Sequence, residues 1–581
     1  MNRRTLMAVL IALLLPGLVL AGTVSGRVFI DANGDGAWQQ GEEALAGALV
    51  SDGASIVATG QDGSYSLQAG DGPQAVFVVN PSGTWPQASF YHYLPATPAQ
   101  ADFPMKRQEQ PVPFYFVQGT DLHVRNQPEV AADVEKYVQA VNSLPLPIAF
   151  VVHTGDLVVD SNRSTVEEAR ALFSAYLEMV SGLTMPLINV PGNHEHVGVF
   201  REDIAPDTPG RGKGLYREMI GPTYFAFNYA DVQFIAMDGT SISDGKLVYG
   251  IGPENLQWLR DLLPYLDADE PIVMLIHEPF FSIGQKAEVE EALEGRKVLL
   301  ALSGHGHSIA FVPFAGGTEI MGGATSYAWH GSGFGPNAMA YQVIKMTEDG
   351  FEQAFADWAE PYSLTVNRPG RMAALTGETP IEAVFFDPAN EVKSVDIELA
   401  EAQTTVSEFG ASGLYRTLNA SIDAGGAPDG FGELTFTLHG KGEPFVERQR
   451  FLVLTGRQEE FTAAGPATLR LRLHKVNAAN PVLVNGTEVG RTPPDAKDLQ
   501  IMAIELPAES LRRLNTIELV SGRLPDDTGW DDFWVDGVEM LYQGQSFGDY
   551  RRGKYSATWV KPANDEPGKT MLYIDLTVPA Q

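Results

Sequence analysis

Apolar and polar residues alternate with a period of two over residues 24–30 and 64–67, and Asp-Gly and Asn-Gly pairs that mark tight turns lie between these runs. A small β-sandwich is expected over residues 22–105. At about Pro111 the pattern changes. Apolar runs at 114–117, 148–152, 187–190, 272–276 and 298–302 alternate with stretches of helical period at 165–180 and 253–266. The first helix has Ser164 or Thr165 as its cap, with Glu167 and Glu168 in its first turn. Strands alternating with helices predict an α/β layer domain over residues 106–365. Beyond about Glu360 the helical period fades and strand-like runs return, for example at 433–438, 467–473 and 515–520. Residues 366–581 are expected to form a β-sandwich region of one unit or of two with a boundary near 460.

The length of 581 residues exceeds what one hydrophobic core supports and calls for roughly three to five units. The chain opens on Arg3 and Arg4, an apolar run over 6–20, and small residues at Val19 and Ala21, the layout of a cleaved leader spanning residues 1–21. A membrane anchor is the alternative, but a span needs about 20 apolar residues, and Pro16-Gly17 interrupts this shorter run. Export to the periplasm or the cell exterior is expected, by the ordinary secretory route or, through Arg3-Arg4-Thr5, the twin-arginine route. No later stretch approaches membrane-spanning length, so the mature chain is expected to be soluble. There are no cysteines, which excludes disulfides and thiolate metal sites. A formal charge of −33 argues against stable nucleic-acid binding, because a polyanion would be repelled. It does not exclude a small phosphate ester, since cations in a cleft override the global field.

Two sets of residues suit metals. Asp31, Asn33, Asp35 and Glu42 have the twelve-residue spacing of an oxygen-ligand calcium loop, in a strand context foreign to an EF-hand. The second set lies where the central apolar runs end: Asp121 with His123, Asp156 after Gly155, Asn193-His194-Glu195 after Gly192, His277, and His305 with His307. Ligands in α/β sheets gather beyond the carboxyl ends of strands, so these residues can converge. Pairs one residue apart can reach one ion, and Gly304 and Gly306 permit a tight backbone. Oxygen and imidazole donors suit divalent manganese, iron or zinc. Seven ligands exceed one tetrahedral site, so two ions about 3.5 to 4 Å apart are implied.

The ordered blocks D-x-H, G-D, G-N-H-E, a lone H and G-H-x-H resemble the calcineurin-like metallophosphoesterase superfamily over residues 111–358. The resemblance implies a four-layer α-β-β-α sandwich. It also implies that Asp121, His123 and His307 hold one metal, Asn193, His277 and His305 the other, with Asp156 bridging. A bridging hydroxide would attack phosphorus, and His194, off the metals, would serve the leaving group. Glu195 could steady His194, and Asp160 could support it in place of the aspartate that the protein phosphatase branch carries at the position of Val159. No tyrosine follows Asp156, which disfavours a tyrosinate-iron centre. The expected function is that of an exported dinuclear phosphoesterase acting on mono- or diesters.

His153 and His196 flank the blocks and suit either packing or ligand support. His330 lies on a glycine-rich loop that could border the pocket. Trp530, Phe533 and Trp534 could form a sugar platform, although aromatics in a sandwich usually belong to its core. Two rival readings follow: an envelope- or glycan-binding surface protein with an inactive phosphoesterase fold, and a calcium-dependent adhesion protein.

Overall fold

The computed structural model describes residues 22–579 except 71–73, 126, 244–245, 327–338, 495–498, 526–528, 552–556 and 564–565. The leader and His330 lie outside the described residues. Among the described residues no helix is long and apolar enough to cross a membrane.

Two sheets form the central part. In the first, Leu187–Val190, Ile148–Thr154 and Phe114–Gly119 run parallel, followed by Ala340–Met346 and Phe351–Asp357 in antiparallel pairing. The second runs Phe225–Tyr229, Val232–Ala236, Ile272–Leu275, Val298–Ser303, Gly317–Met321, Ala310–Phe314, parallel through its middle. Side chains alternate across each strand, so one strand serves two cores. Phe116 and Phe150 enter the core between the sheets, where Phe116 meets Phe234 and Phe150 meets Phe227, each at 5.5 Å between ring centroids. Val117 and Val151 face the other way, onto Val134, Phe173 and Tyr176 of the helices Pro128–Ser143 and Val166–Val180. The second of these helices starts with a capping box, Thr165 with Glu168, which satisfies amides that would otherwise lack partners. The helix expected over 253–266 is α-helical at Pro253–Leu262 and tightens into a 3-10 turn at Leu263–Tyr265 around Pro264.

Residues before and after are built from strands. Six- and four-stranded sheets within residues 22–107 enclose Val24, Val28, Leu67, Val76 and Phe103. After residue 360 there are two separate cores, one around Phe385, Ile397, Phe436 and Val453, the next around Leu469, Ile517, Phe533 and Leu572. In the 31–42 loop, Asp31 accepts the Gly34 and Gly36 amides, Asp35 that of Ala37, and Glu42 those of Ala32 and Gln39. These acids are not among the described sets of three or more carboxylate and imidazole groups whose ligand atoms all lie within 4.8 Å of one another.

His153 illustrates what burial does to a base. It is fully enclosed, with Tyr137 Oη 3.0 Å from Nε2 and Tyr176 Oη 2.7 Å from Nδ1. It is therefore a packed core residue of the first sheet, linked by hydrogen bonds to two helices. Burial pushes its pKa down from 6.5 to about 3. Between those values the unfolded chain binds a proton that the folded one refuses, so stability should drop by about 1.4 kcal/mol for each unit that the pH is lowered, from this group alone. Unfolding free energies from urea titrations at pH 7 and pH 5 should differ by about 2 kcal/mol less in His153→Leu than in the parent. Identical pH slopes would count against this assignment.

Candidate metal centre

The expected ligands come from loops at the carboxyl ends of both sheets. Strands Phe114–Gly119 and Ile148–Thr154 lead into segments that remain laced together: Asp121 N donates to Gly155 O, His123 N to Asp156 O and Val124 N to Leu157 O. Asp121, His123, Asp156, His305 and His307 all adopt left-handed backbone, with φ from 46 to 68°. Each such residue costs of order 1–3 kcal/mol and persists only where its surroundings impose it. The tight turns in the G-H-G-H block thus fall on the histidines. Gly304 serves close approach instead, since a Cβ there would stand 2.0 Å from Thr120 Oγ1 and 2.5 Å from Asp121 Oδ2. Gly155 is constrained by both effects, with φ 85° and the His277 ring 2.5 Å from where its Cβ would be.

Three overlapping groups result: Asp121, His123 and His307; His123, Asp156 and His194; and Asp156, His277 and His305. Asp121 Oδ2 is pinned by the His305 amide at 3.0 Å and lies 2.9 Å from Thr120 Oγ1. Its Oδ1 is buried and accepts no hydrogen bond, although Nε2 of His307, His123 and His277 stand 3.1, 3.7 and 3.9 Å away. Ring nitrogens crowded around an unsatisfied carboxylate oxygen suit a shared cation. On the other side, Asp156 Oδ1 accepts the His194 amide at 3.0 Å, and Oδ2 lies 3.0 Å from His277 Nε2 and 3.8 Å from both His123 and His194. Asn193 Oδ1 is 3.0 Å from His305 Nδ1. All seven expected ligands and His194 are thus brought together.

The electrostatics suit cations. Burial would raise Asp121, but His277, with His123 and His307, holds it well below the usual carboxylate range. Asp156 is lowered likewise, against burial, by His277, His194 and His123. Both are anionic at working pH. Burial and the neighbouring His277 push His305 down to about 4, so it offers a neutral ring, the form that coordinates metal.

Surrounding groups aim this set, and here the sequence expectations need correction. Glu195 does not hold His194. Its buried carboxylate accepts the amides of Gly192 at 2.7 Å, Asp156 at 3.1 Å and Val158 at 3.2 Å, and so ties two ligand loops together. Burial and the charge of Asp156 push it up to about 7. Asp160 reaches His194 mainly through its backbone: its amide donates to Nδ1 at 2.9 Å, whereas its carboxylate lies 3.8 Å away. Residue 160 is itself left-handed, with φ 50°, which turns the amide inward. Thr154 accepts the His277 Nδ1 proton on its carbonyl at 2.7 Å, which leaves Nε2, 3.0 Å from Asp156 Oδ2, as the nitrogen a metal would take in place of the proton that Asp156 and Asp121, against burial, hold on this ring well above its ordinary pKa. No sequence pattern marks a backbone acceptor. His196 Nε2 lies 2.7 Å from Thr240 Oγ1, beside the buried Lys213–Asp238 pair, one shell outside the ligands.

The proposed sugar platform is not assembled among the described residues. Phe533 is core, Trp530 lies under the Arg523 guanidinium, and Trp534 stacks with His474 and Trp559, so the three rings do not share one open face.

Residues 114–308 match the family model described as calcineurin-like phosphoesterase. None of the curated proteins compared matches the chain. Among solved structures the chain is similar to a purple acid phosphatase from yellow lupin seeds, at 12% identity over 64% of this chain and 69% of that one, with a TM-score of 0.30. It is also similar to phosphopantetheinyl hydrolase from Mycobacterium tuberculosis, at 14% identity over 36% and 90% of the two chains and a TM-score of 0.25. A third is the anchor in the inner membrane complex of Plasmodium, at 14%, 42% and 84%, with a TM-score of 0.30. Likenesses of this size carry no weight, and the assignment stands on the family match. Residues 114–308 therefore form a calcineurin-like phosphoesterase domain, a family of metal-dependent phosphoester hydrolases, within a longer chain built mostly of strands.

Proposed function

We propose that the protein is an exported phosphoesterase that hydrolyses phosphate mono- or diesters with two divalent ions, manganese, iron or zinc. Asp121, His123 and His307 would hold one ion, Asn193, His277 and His305 the other, and Asp156 would bridge. The observation that carries this reading is the unsatisfied Asp121 Oδ1 among three imidazole nitrogens, next to an Asp156 carboxylate shared by two groups. When bound, such ions offset phosphate charge and make a nucleophile available from water at neutral pH. The chain's own residues do the rest. Asp121 and Asp156 supply permanent negative charge, and the Glu195 clamp keeps the loops in register. His194 accepts the Asp160 amide at Nδ1, so its proton resides on Nε2, the nitrogen facing Asp156 and the centre. That N–H can be given to a departing alkoxide. In this reading the two central sheets and their helices form a four-layer α-β-β-α sandwich, flanked by β-sandwiches over residues 22–105 and 366–581.

The test is a screen of purified, metal-analysed protein against p-nitrophenyl phosphate, bis-p-nitrophenyl phosphate and cyclic nucleotides. Two equivalents of transition metal and a chelator-sensitive hydrolysis are expected, with the preferred ester fixing mono- or diester class. A fully loaded protein that cleaves none of them would favour the inactive surface-binding reading. The same metal analysis tests a proposal of calcium at Asp31, Asn33, Asp35 and Glu42, which requires a further equivalent released by a calcium chelator. Amino-terminal sequencing of exported protein is expected to begin at Gly22.

A further inference from the structure

Among the described residues the strands Thr240–Ser243 and Lys246–Tyr249 pair only with each other, as a two-stranded ribbon beside the centre. Such a ribbon is marginal alone, and this one is anchored at its base, where Lys213 donates to Thr240 Oγ1 at 3.0 Å and His196 Nε2 lies 2.7 Å from the same oxygen. The register pairs Thr240 with Tyr249 and Ile242 with Leu247, so these four side chains share one face. That face turns toward the ligand loops. Ile242 packs against Gly212, its Cδ1 3.3 Å from where a Cβ there would stand, and the Tyr249 ring lies 5.3 Å from the His305 ring between centroids. Yet Tyr249 remains 50% exposed and Ile242 41%. An apolar strip that is continuous with a metal-binding cluster and open to solvent is a place where a ligand group removes surface from water.

We propose that this face of the ribbon, with Tyr249 as its specificity-determining residue, receives an aromatic or bulky apolar organic group carried by the substrate's phosphorus. The inference rests on the phosphoesterase reading for the position of that phosphorus and narrows its substrate class. The ring stacks on or against the tyrosine, while Ile242 and Leu247 extend the contact along the ribbon.

Phenylphosphonate and methylphosphonate share one head group and are not ester substrates, so their binding to the full, metal-loaded chain can be measured by calorimetry without turnover. Phenylphosphonate is expected to bind about tenfold more tightly. Tyr249→Ala should remove most of that preference, Ile242→Ser should reduce it, and Tyr249→Phe should keep it. Equal affinities in the parent, no measurable binding of phenylphosphonate, or a preference untouched by both Tyr249→Ala and Ile242→Ser would overturn the inference. The two readings fail separately. Tyr249-dependent phenylphosphonate binding by a protein that cleaves no ester leaves this inference standing without the hydrolase, and active enzyme with Tyr249-independent affinities does the reverse.

Discussion

Asp156→Ala is expected to lower kcat/KM at least about 10³-fold, roughly 4 kcal/mol of transition-state stabilisation, and to reduce the bound metal from two equivalents to one or none. Among the described residues Asp156 is the only carboxylate that belongs to two of the candidate metal groups. Its Oδ2 stands 3.0 Å from His277 Nε2 and its Oδ1 accepts the His194 amide, so its loss removes a bridge and releases the segment bearing Asn193 and His194. The charge that keeps His277 and His123 gathered is lost as well. Asp156→Asn separates these effects, because the amide oxygen can still receive the His194 N–H while the negative charge is gone. It should bind metal weakly with its loop intact. Elemental analysis after gel filtration reads the outcome, and two tightly held ions in Asp156→Ala would refute the bridging role.

His194→Ala should behave differently, with both ions retained and kcat reduced about 10²- to 10⁴-fold, the range for loss of a positioned proton donor. Burial holds His194 below its ordinary pKa, so the ring is neutral at pH 7 and its Nε2–H is what it offers. The expected signature is leaving-group dependence. A nitrophenyl ester, whose phenolate needs little protonation, should suffer least, and an alkyl ester, whose alkoxide needs it most, should suffer most. Alkyl ester turnover unchanged in His194→Ala would remove the residue from the reaction. A uniform loss accompanied by loss of metal would assign His194 to an ion, a role compatible with its grouping with His123 and Asp156.

Much of the central fold was legible because parallel strands buried on both faces leave solid apolar runs. The strand expected over 187–190 is Leu187–Val190, and the others differ from expectation by one or two residues at an end. The hairpin of Phe225–Tyr229 and Val232–Ala236 carries no such signal at its turn. Its turn is Ala230-Asp231, both left-handed at φ 53 and 58°, a conformation normally announced by Asn-Gly. The helix Pro128–Ser143 does carry apolar residues at helical spacing, Val130, Val134, Tyr137 and Val141, so its period is present in the sequence.

The sequence by itself determined the identity and order of the residues proposed as ligands, since each block ends an apolar run and strand ends in such sheets point to one edge. It also determined that no thiolate takes part. Only the tertiary structure decided what each neighbour does. Glu195 and Asp160 looked like side-chain supports for His194, but one clamps three amides and the other works through its own amide, because left-handed backbone turned peptide groups toward the centre. Likewise the ribbon bearing Tyr249 is ordinary in sequence and acquires its place from Thr240, Lys213 and His196, contacts between residues up to 44 positions apart. Side-chain chemistry is written locally, whereas the direction of a backbone N–H or C=O depends on the packing of the entire chain around it.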